Sequence, residues 1–99
     1  MHARLSRWAG LDPERLEETV QEFESQSLPL LGQQEGFKGV VVMTDANGGK
    51  AAAITLWETR DDLRRTEKMA EEMRARAERT ARAEREPVVD HYEVVLQQL

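Results

Sequence analysis

GVVVMTDANGGKAAAITLW, residues 39–57, decides how the rest of the chain must be arranged. Two apolar runs flank Asp45-Ala46-Asn47-Gly48-Gly49-Lys50, a segment whose asparagine and glycines can supply the positive φ angles of a hairpin turn. The spacing predicts strands over Phe37 to Thr44 and Ala51 to Glu58. Successive side chains of a strand point to opposite faces, so Phe37, Val41 and Met43 fall on one side and Val40 and Val42 on the other. In the second strand Ile54 and Leu56 oppose Ala53 and Trp57. A sheet with one wet face carries polar residues at alternate positions. This hairpin is apolar on both faces, and both have to be covered.

The flanking segments supply one cover. Residues 2–9 show no helical periodicity and read as a strand ending before Gly10. Asp12-Pro13-Glu14 has the form of an N-cap, a first-turn proline and a first-turn acid. Leu16, Val20, Phe23, Ser27 and Leu31 then recur at helical spacing until Gly32 or Gly36. Pro29 lies inside that pattern and predicts a kink or restart near Ser27. Thr59, with Asp61 and Asp62, opens a second helix predicted over Arg60 to Arg85. One face of it is traced by Leu63, Thr66, Met69 or Ala70, Met73, Ala77 and Thr80. Pro87 ends the pattern, and Val88 to Leu96 reads as a fourth strand. The order βαββαβ predicts one α+β, ferredoxin-like domain over residues 1–99, with a four-stranded antiparallel sheet and its helices on one face. Two helices cover one face only. The other is most simply buried against a second copy of the chain, and a homodimer is expected.

Composition bounds the partners. Of 99 residues 39% are hydrophobic and 33% charged, and 19 acids against 14 bases give a net charge of −5. That balance opposes attraction to nucleic acid or anionic lipid. The run Arg74 to Glu86 resembles a basic helix, yet nine bases and eight acids between Arg60 and Glu86 make it a solvated face, with i,i+4 pairs at Glu72/Arg76 and Glu78/Arg82. Without cysteine the chain has no disulfide, thiolate nucleophile or cysteine metal site. No apolar run approaches a membrane span, and Met1 to Arg7 lacks the apolar core of a secretory signal, so a cytoplasmic protein is expected. There is no H-E-x-x-H, no paired-carboxylate constellation and no phosphate loop, because Gly48-Gly49 belongs to the hairpin.

Leu28-Pro29-Leu30-Leu31, Gly36-Phe37-Lys38-Gly39, Ile54-Thr55-Leu56-Trp57-Glu58 and His91-Tyr92-Glu93-Val94-Val95, in that order and spacing, resemble the antibiotic biosynthesis monooxygenase superfamily. The resemblance spans nearly the whole chain and implies a dimeric α/β barrel, with two sheets facing each other and a ligand cavity between each sheet and its helices. It implies two chemistries: oxidation of aromatic compounds by oxygen without metal or flavin, and oxidative opening of haem. For the second it places an asparagine near Ala3, a tryptophan near Thr66 and a haem-ligating histidine near Ala77; this chain has none of them, and no histidine between Arg60 and Arg85. No metal or haem cofactor is therefore expected.

The expectation is a cofactor-independent monooxygenase of a small aromatic or quinone-like compound. The alternative is a non-catalytic dimeric ligand-binding or interaction module of the same fold. His91 is the candidate base, since imidazole titrates near neutrality, and Arg7 the candidate anion partner. Leu5, Trp57, Met69, Met73 and Tyr92 are candidates to line the pocket, with core or interface packing as the competing role of each.

Overall fold

The computed structural model describes residues 1–99. Strands β1 (His2–Trp8), β2 (Phe37–Asp45), β3 (Lys50–Trp57) and β4 (Val88–Glu93) form one antiparallel sheet in the spatial order β2-β3-β1-β4. Helices α1 (Leu16–Glu22), α2 (Leu28–Gly32), α3 (Arg60–Arg65) and α4 (Glu67–Ala81) are packed on one face of it. The ferredoxin-like α+β arrangement expected from the element order is the one observed.

Local chemistry starts both helical segments where the sequence places them. The Asp12 carboxylate accepts a hydrogen bond from Glu14 N at 3.0 Å, and Pro13 opens a 3₁₀ turn, Pro13–Arg15, that leads into α1. The Thr59 hydroxyl accepts from Asp62 N at 3.0 Å at the start of α3. The break expected near Ser27 is one π-helical turn, Phe23–Ser27, in which Leu28 N–H reaches Phe23 O. Pro29 has no N–H to give four residues back, and the widened turn absorbs that loss.

The second helical segment departs from expectation in two places. It is not continuous, because the Thr66 hydroxyl donates to Leu63 O at 2.8 Å while its backbone, at φ −99 and ψ 9, leaves helical geometry and splits α3 from α4. It also stops at Ala81 rather than near Arg85, with Arg82 in the left-handed conformation at φ 54. Tertiary bonds impose that end: Asp12 N donates to Ala81 O at 3.0 Å and Glu84 N to Gly10 O at 3.1 Å. Arg76 instead meets Gln26 at 2.9 Å, and neither the expected Glu72/Arg76 nor the expected Glu78/Arg82 pair forms. Strand β4 ends at Glu93, opposite His2, rather than at Leu96, and one further bond, from Val94 N to Met1 O at 2.8 Å, closes the ladder.

A β-bulge between Phe37 and Gly39 corrects the expected strand faces. Phe37 pairs with Trp57 and Gly39 with Leu56, so one extra residue of β2 shifts the alternation. Gly39, at φ 153, takes the conformation this needs. Phe37 therefore meets Trp57 edge to face on the helix side, with ring centroids 5.5 Å apart, while Val41 and Met43 lie on the opposite face. Trp57, fully buried, forms the centre of the core with Leu31 and Leu63. A second cluster joins Leu11, Leu16 and Ala81 at the other end of the helices.

No helix covers the face formed by Ala3, Leu5, Arg7, Val41, Met43, Ala52, Ile54, Leu56, Val88, Asp90 and Tyr92. On it Val41, Met43, Val88 and Tyr92 are 48%, 47%, 53% and 53% exposed. No helix of the chain is long and apolar enough to cross a membrane.

The approach to β2 is fixed by Gly36, at φ +80, whose carbonyl accepts from Glu58 N at 2.8 Å. A Cβ there would collide with the Asp62 carboxylate. That carboxylate is held by Arg65, whose hydrogen bond, followed by that of the Thr59 hydroxyl, keeps its pKa below the ordinary value. Gly36→Ala is expected to cost about 1–3 kcal/mol through combined backbone strain and collision, read as a lower urea midpoint at unchanged slope.

Candidate functional site

Between sheet and helices the side chains do not fill the space. Even-numbered residues of β1 and odd-numbered residues of β3 face the helices, and on β3 two of these are Ala51 and Ala53. Across from them α4 presents Ala70 and Ala77. Four methyl groups where larger chains would meet leave a cavity of about 90 Å³, bounded also by Phe23 and Met73. One water takes roughly 10–15 Å³ by a comparable measure, so the space suits a ring-sized molecule and falls short of the ~300–1,000 Å³ of drug-sized pockets. Val42 and Thr44, on the edge strand, are exposed as well as lining the cavity, and they mark its open side.

Polar chemistry enters the cavity from β1 and α4. Arg4 is 2% exposed and lies on β1, the strand between β3 and β4. One terminal nitrogen of its guanidinium donates to Leu63 O at 2.8 Å, to the Thr66 hydroxyl at 3.3 Å and to Glu67 Oε1 at 3.1 Å. The Leu63 carbonyl, at the end of α3, is shared: it also accepts from Thr66 N at 3.1 Å and from the Thr66 hydroxyl at 2.8 Å. The Trp57 ring lies 6.0 Å from the Arg4 guanidinium carbon, at the limit of cation–π contact. Nε and the second terminal nitrogen of Arg4 are buried without a protein acceptor, as are the Trp8 indole nitrogen and one terminal nitrogen of Arg74. Arg4, Trp8 and Arg74 all line the cavity. Burial lowers the pKa of Arg74, and the charge of Arg4 adds to the effect.

The sequence-predicted residues divide. Met73 lines the cavity. Trp57 and Met69 stand beside it in the core, and the Trp57 indole donates to the Thr55 hydroxyl at 3.0 Å. Leu5, Arg7 and Tyr92 are on the other face of the sheet, where alternation along β1 and β4 carries them, and their expected place at the pocket is corrected accordingly. Arg7 there meets Asp90 at 3.4 Å, with both side chains in solvent. His91 is on the helix side, directly across from Arg4, with Nε2 3.0 Å from Glu67 Oε1; it is half exposed and outside the cavity wall. Thus Arg4, Glu67 and His91 form one connected group at the cavity's edge. No three His, Cys, Asp or Glu side chains anywhere in the chain converge in a metal-binding arrangement.

Sequence reasoning missed Arg4, Trp8 and Arg74. The signal for the first two was strand alternation, which puts Arg4, Ser6 and Trp8 on one face. The signal for Arg74 was its place four residues after Ala70, on the apolar side of α4.

No protein-family model and no curated protein matches the sequence. Solved structures match its fold. The monooxygenase from the gene ActVA-Orf6 of Streptomyces coelicolor, in complex with nanaomycin D, is 12% identical with a TM-score of 0.80, over 99% of this chain and 90% of that one. SnoaB, a cofactor-independent oxygenase from Streptomyces nogalater, is 16% identical with a TM-score of 0.59, over 99% and 94%. A dimeric ferredoxin-like protein from an uncultured marine organism is 7% identical with a TM-score of 0.71, over 99% and 90%. A putative antibiotic biosynthesis monooxygenase from Bordetella bronchiseptica is also similar, 20% identical with a TM-score of 0.67 over 96% of this chain and 97% of that one; what these likenesses share with this chain is the fold.

Ala77→Leu tests the cavity itself. Leucine there adds three carbons into the space, and the melting temperature is expected to stay level or rise. In a close-packed wall the same change costs roughly 1–3 kcal/mol, which a thermal melt would register as a clear drop.

Proposed function

We propose that the chain is a cofactor-independent monooxygenase acting on a small aromatic compound able to ionise. The observation that carries the reading is the cavity: its walls are mostly apolar and include Arg4, Arg74 and Trp8, each of which has a buried N–H group without a protein acceptor. The fold shared with two oxygenases supports it. In this reading the walls remove water, and the substrate is held with its hydroxyl at the guanidinium groups, which stabilise the phenolate as it forms. Arg4 and Arg74 take the part first assigned to Arg7. The phenol proton leaves by way of Glu67 and His91 at the cavity's edge. The electron-rich anion then reduces oxygen directly: a ring C–H para to the hydroxyl becomes C=O, one oxygen atom enters the product, and the other leaves as water.

One observation favours a second reading, a non-catalytic binding module: His91 is not part of the cavity wall. The two readings separate under labelled oxygen. Without added flavin or metal, the oxygenase is expected to convert 2,6-dimethylphenol to the corresponding quinone with one atom from O₂, faster than buffer does. Binding of the phenol without oxygen uptake would leave the module instead.

Assembly is part of the proposal. The helix-free face of the sheet, with Leu5, Val41, Met43, Ile54 and Leu56 across its centre, is covered by a second copy in a twofold homodimer. The dimeric neighbour supports this. Sedimentation at micromolar concentration is expected to give twice the chain mass, and Val41→Glu to shift it to the monomer; a wild-type monomer would contradict the assembly.

A further inference from the structure

The cavity wall constrains what it can hold more tightly than its shape does. In a chain with 19 acids against 14 bases, the only charged residues lining it are Arg4 and Arg74. Its unpartnered groups, on Arg4, Arg74 and Trp8, are all donors. Glu67 balances Arg4 at 3.1 Å, but Arg74 takes part in none of the chain's ion pairs. Burial and then the charge of Arg4 act to lower the Arg74 pKa, while Glu67, Glu71 and Glu78 act at longer range to raise it. A guanidinium keeps its proton even so. A water molecule would satisfy an N–H here and leave the charge uncompensated, whereas an anion answers both.

We propose that the cavity binds a small carboxylic acid bearing one apolar ring. Its carboxylate is held by Arg74 and Arg4, and its ring lies among Phe23, Ala53 and Met73. The proposal rests on reading this cavity as the site of the oxygenase and narrows the substrate from phenols in general to phenols that carry a carboxylate beside the hydroxyl. The distinction is one of charge on arrival. A carboxylic acid, with pKa near ~4, enters ionised at neutral pH, while a phenol, near ~10, enters neutral and leaves Arg74 without a counter-ion. A planar guanidinium also matches the two oxygens of a carboxylate. Size sets the other limit, since about 90 Å³ takes in one ring and any larger body has to extend past the open side at Val42 and Thr44.

The test compares benzoate with nitrobenzene, a neutral molecule of the same shape whose nitro oxygens still accept hydrogen bonds. Calorimetric titration of the wild-type chain is expected to show benzoate bound at least about tenfold more tightly than nitrobenzene. Arg74→Met is expected to erase that preference by weakening benzoate far more than nitrobenzene, and Arg74→Lys to retain most of it; matching thermal melts identify any variant that fails to fold. Equal affinity for the two probes, or benzoate binding indifferent to Arg74→Met in a folded variant, overturns the acid head group. Binding of neither probe overturns it as well. Oxygen uptake on 2,6-dimethylphenol and on 2-hydroxybenzoate, measured in parallel, keeps the two proposals apart. Uptake on either without benzoate preference sinks the acid head group and leaves the oxygenase, and benzoate preference without uptake on either does the reverse.

Discussion

A buried guanidinium is expensive unless its N–H groups are met, and the placement of Arg4 organises the helix side of this molecule. It rises from an interior strand and reaches the junction of α3 and α4, where the backbone break at Thr66 offers the Leu63 carbonyl at 2.8 Å and Glu67 a counter-charge at 3.1 Å. That carbonyl also accepts from Thr66 N and the Thr66 hydroxyl, so the guanidinium joins a hydrogen-bonded cluster at the α3/α4 split, which the apolar periodicity conceals. Glu67 extends the same group to His91 on β4, so β1, β4 and the α3/α4 junction are joined through one charge.

The bulge at Gly39 separates the duties of the two sheet faces. Without it, Phe37 would share a face with Val41 and Met43 and could not meet Trp57. With it, the helix side receives the aromatic pair and the alanines that leave the cavity, and the other side receives an almost unbroken apolar surface. The cavity belongs to one face and the proposed twofold contact to the other. Substitutions that disturb assembly are thereby spatially separate from those that disturb binding.

Elements governed by local chemistry were legible in the sequence. The hairpin over residues 37–57, the Asp12 and Thr59 caps and the break near Pro29 all follow from spacing, turn residues and proline geometry, and all are present. Long-range bonds decided what was not legible. The end of α4 at Ala81 depends on Asp12 and Gly10 from far upstream, and the extent of β4 on where β1 begins. The site was legible only in part, because the faces of β1 could not be assigned before the sheet order and the bulge were known. Once they are assigned, Arg4 and Trp8 turn inward, and Leu5 and Arg7, which had looked equally eligible, turn out. His91 was found from its chemistry alone, but its partner Glu67 sits on a helix whose start no cap residue announces.

The central claim is that buried Arg4 and partly buried Arg74 form the recognition centre for an anionic ligand. Side-chain ¹H–¹⁵N spectra of the arginines, recorded during a benzoate titration, observe it directly. The account predicts that the Nε–H signals of Arg4 and Arg74 shift together and saturate, while that of solvent-exposed Arg7 stays in place. Movement confined to Arg7 and the other exposed arginines, with Arg4 and Arg74 unchanged, would contradict it.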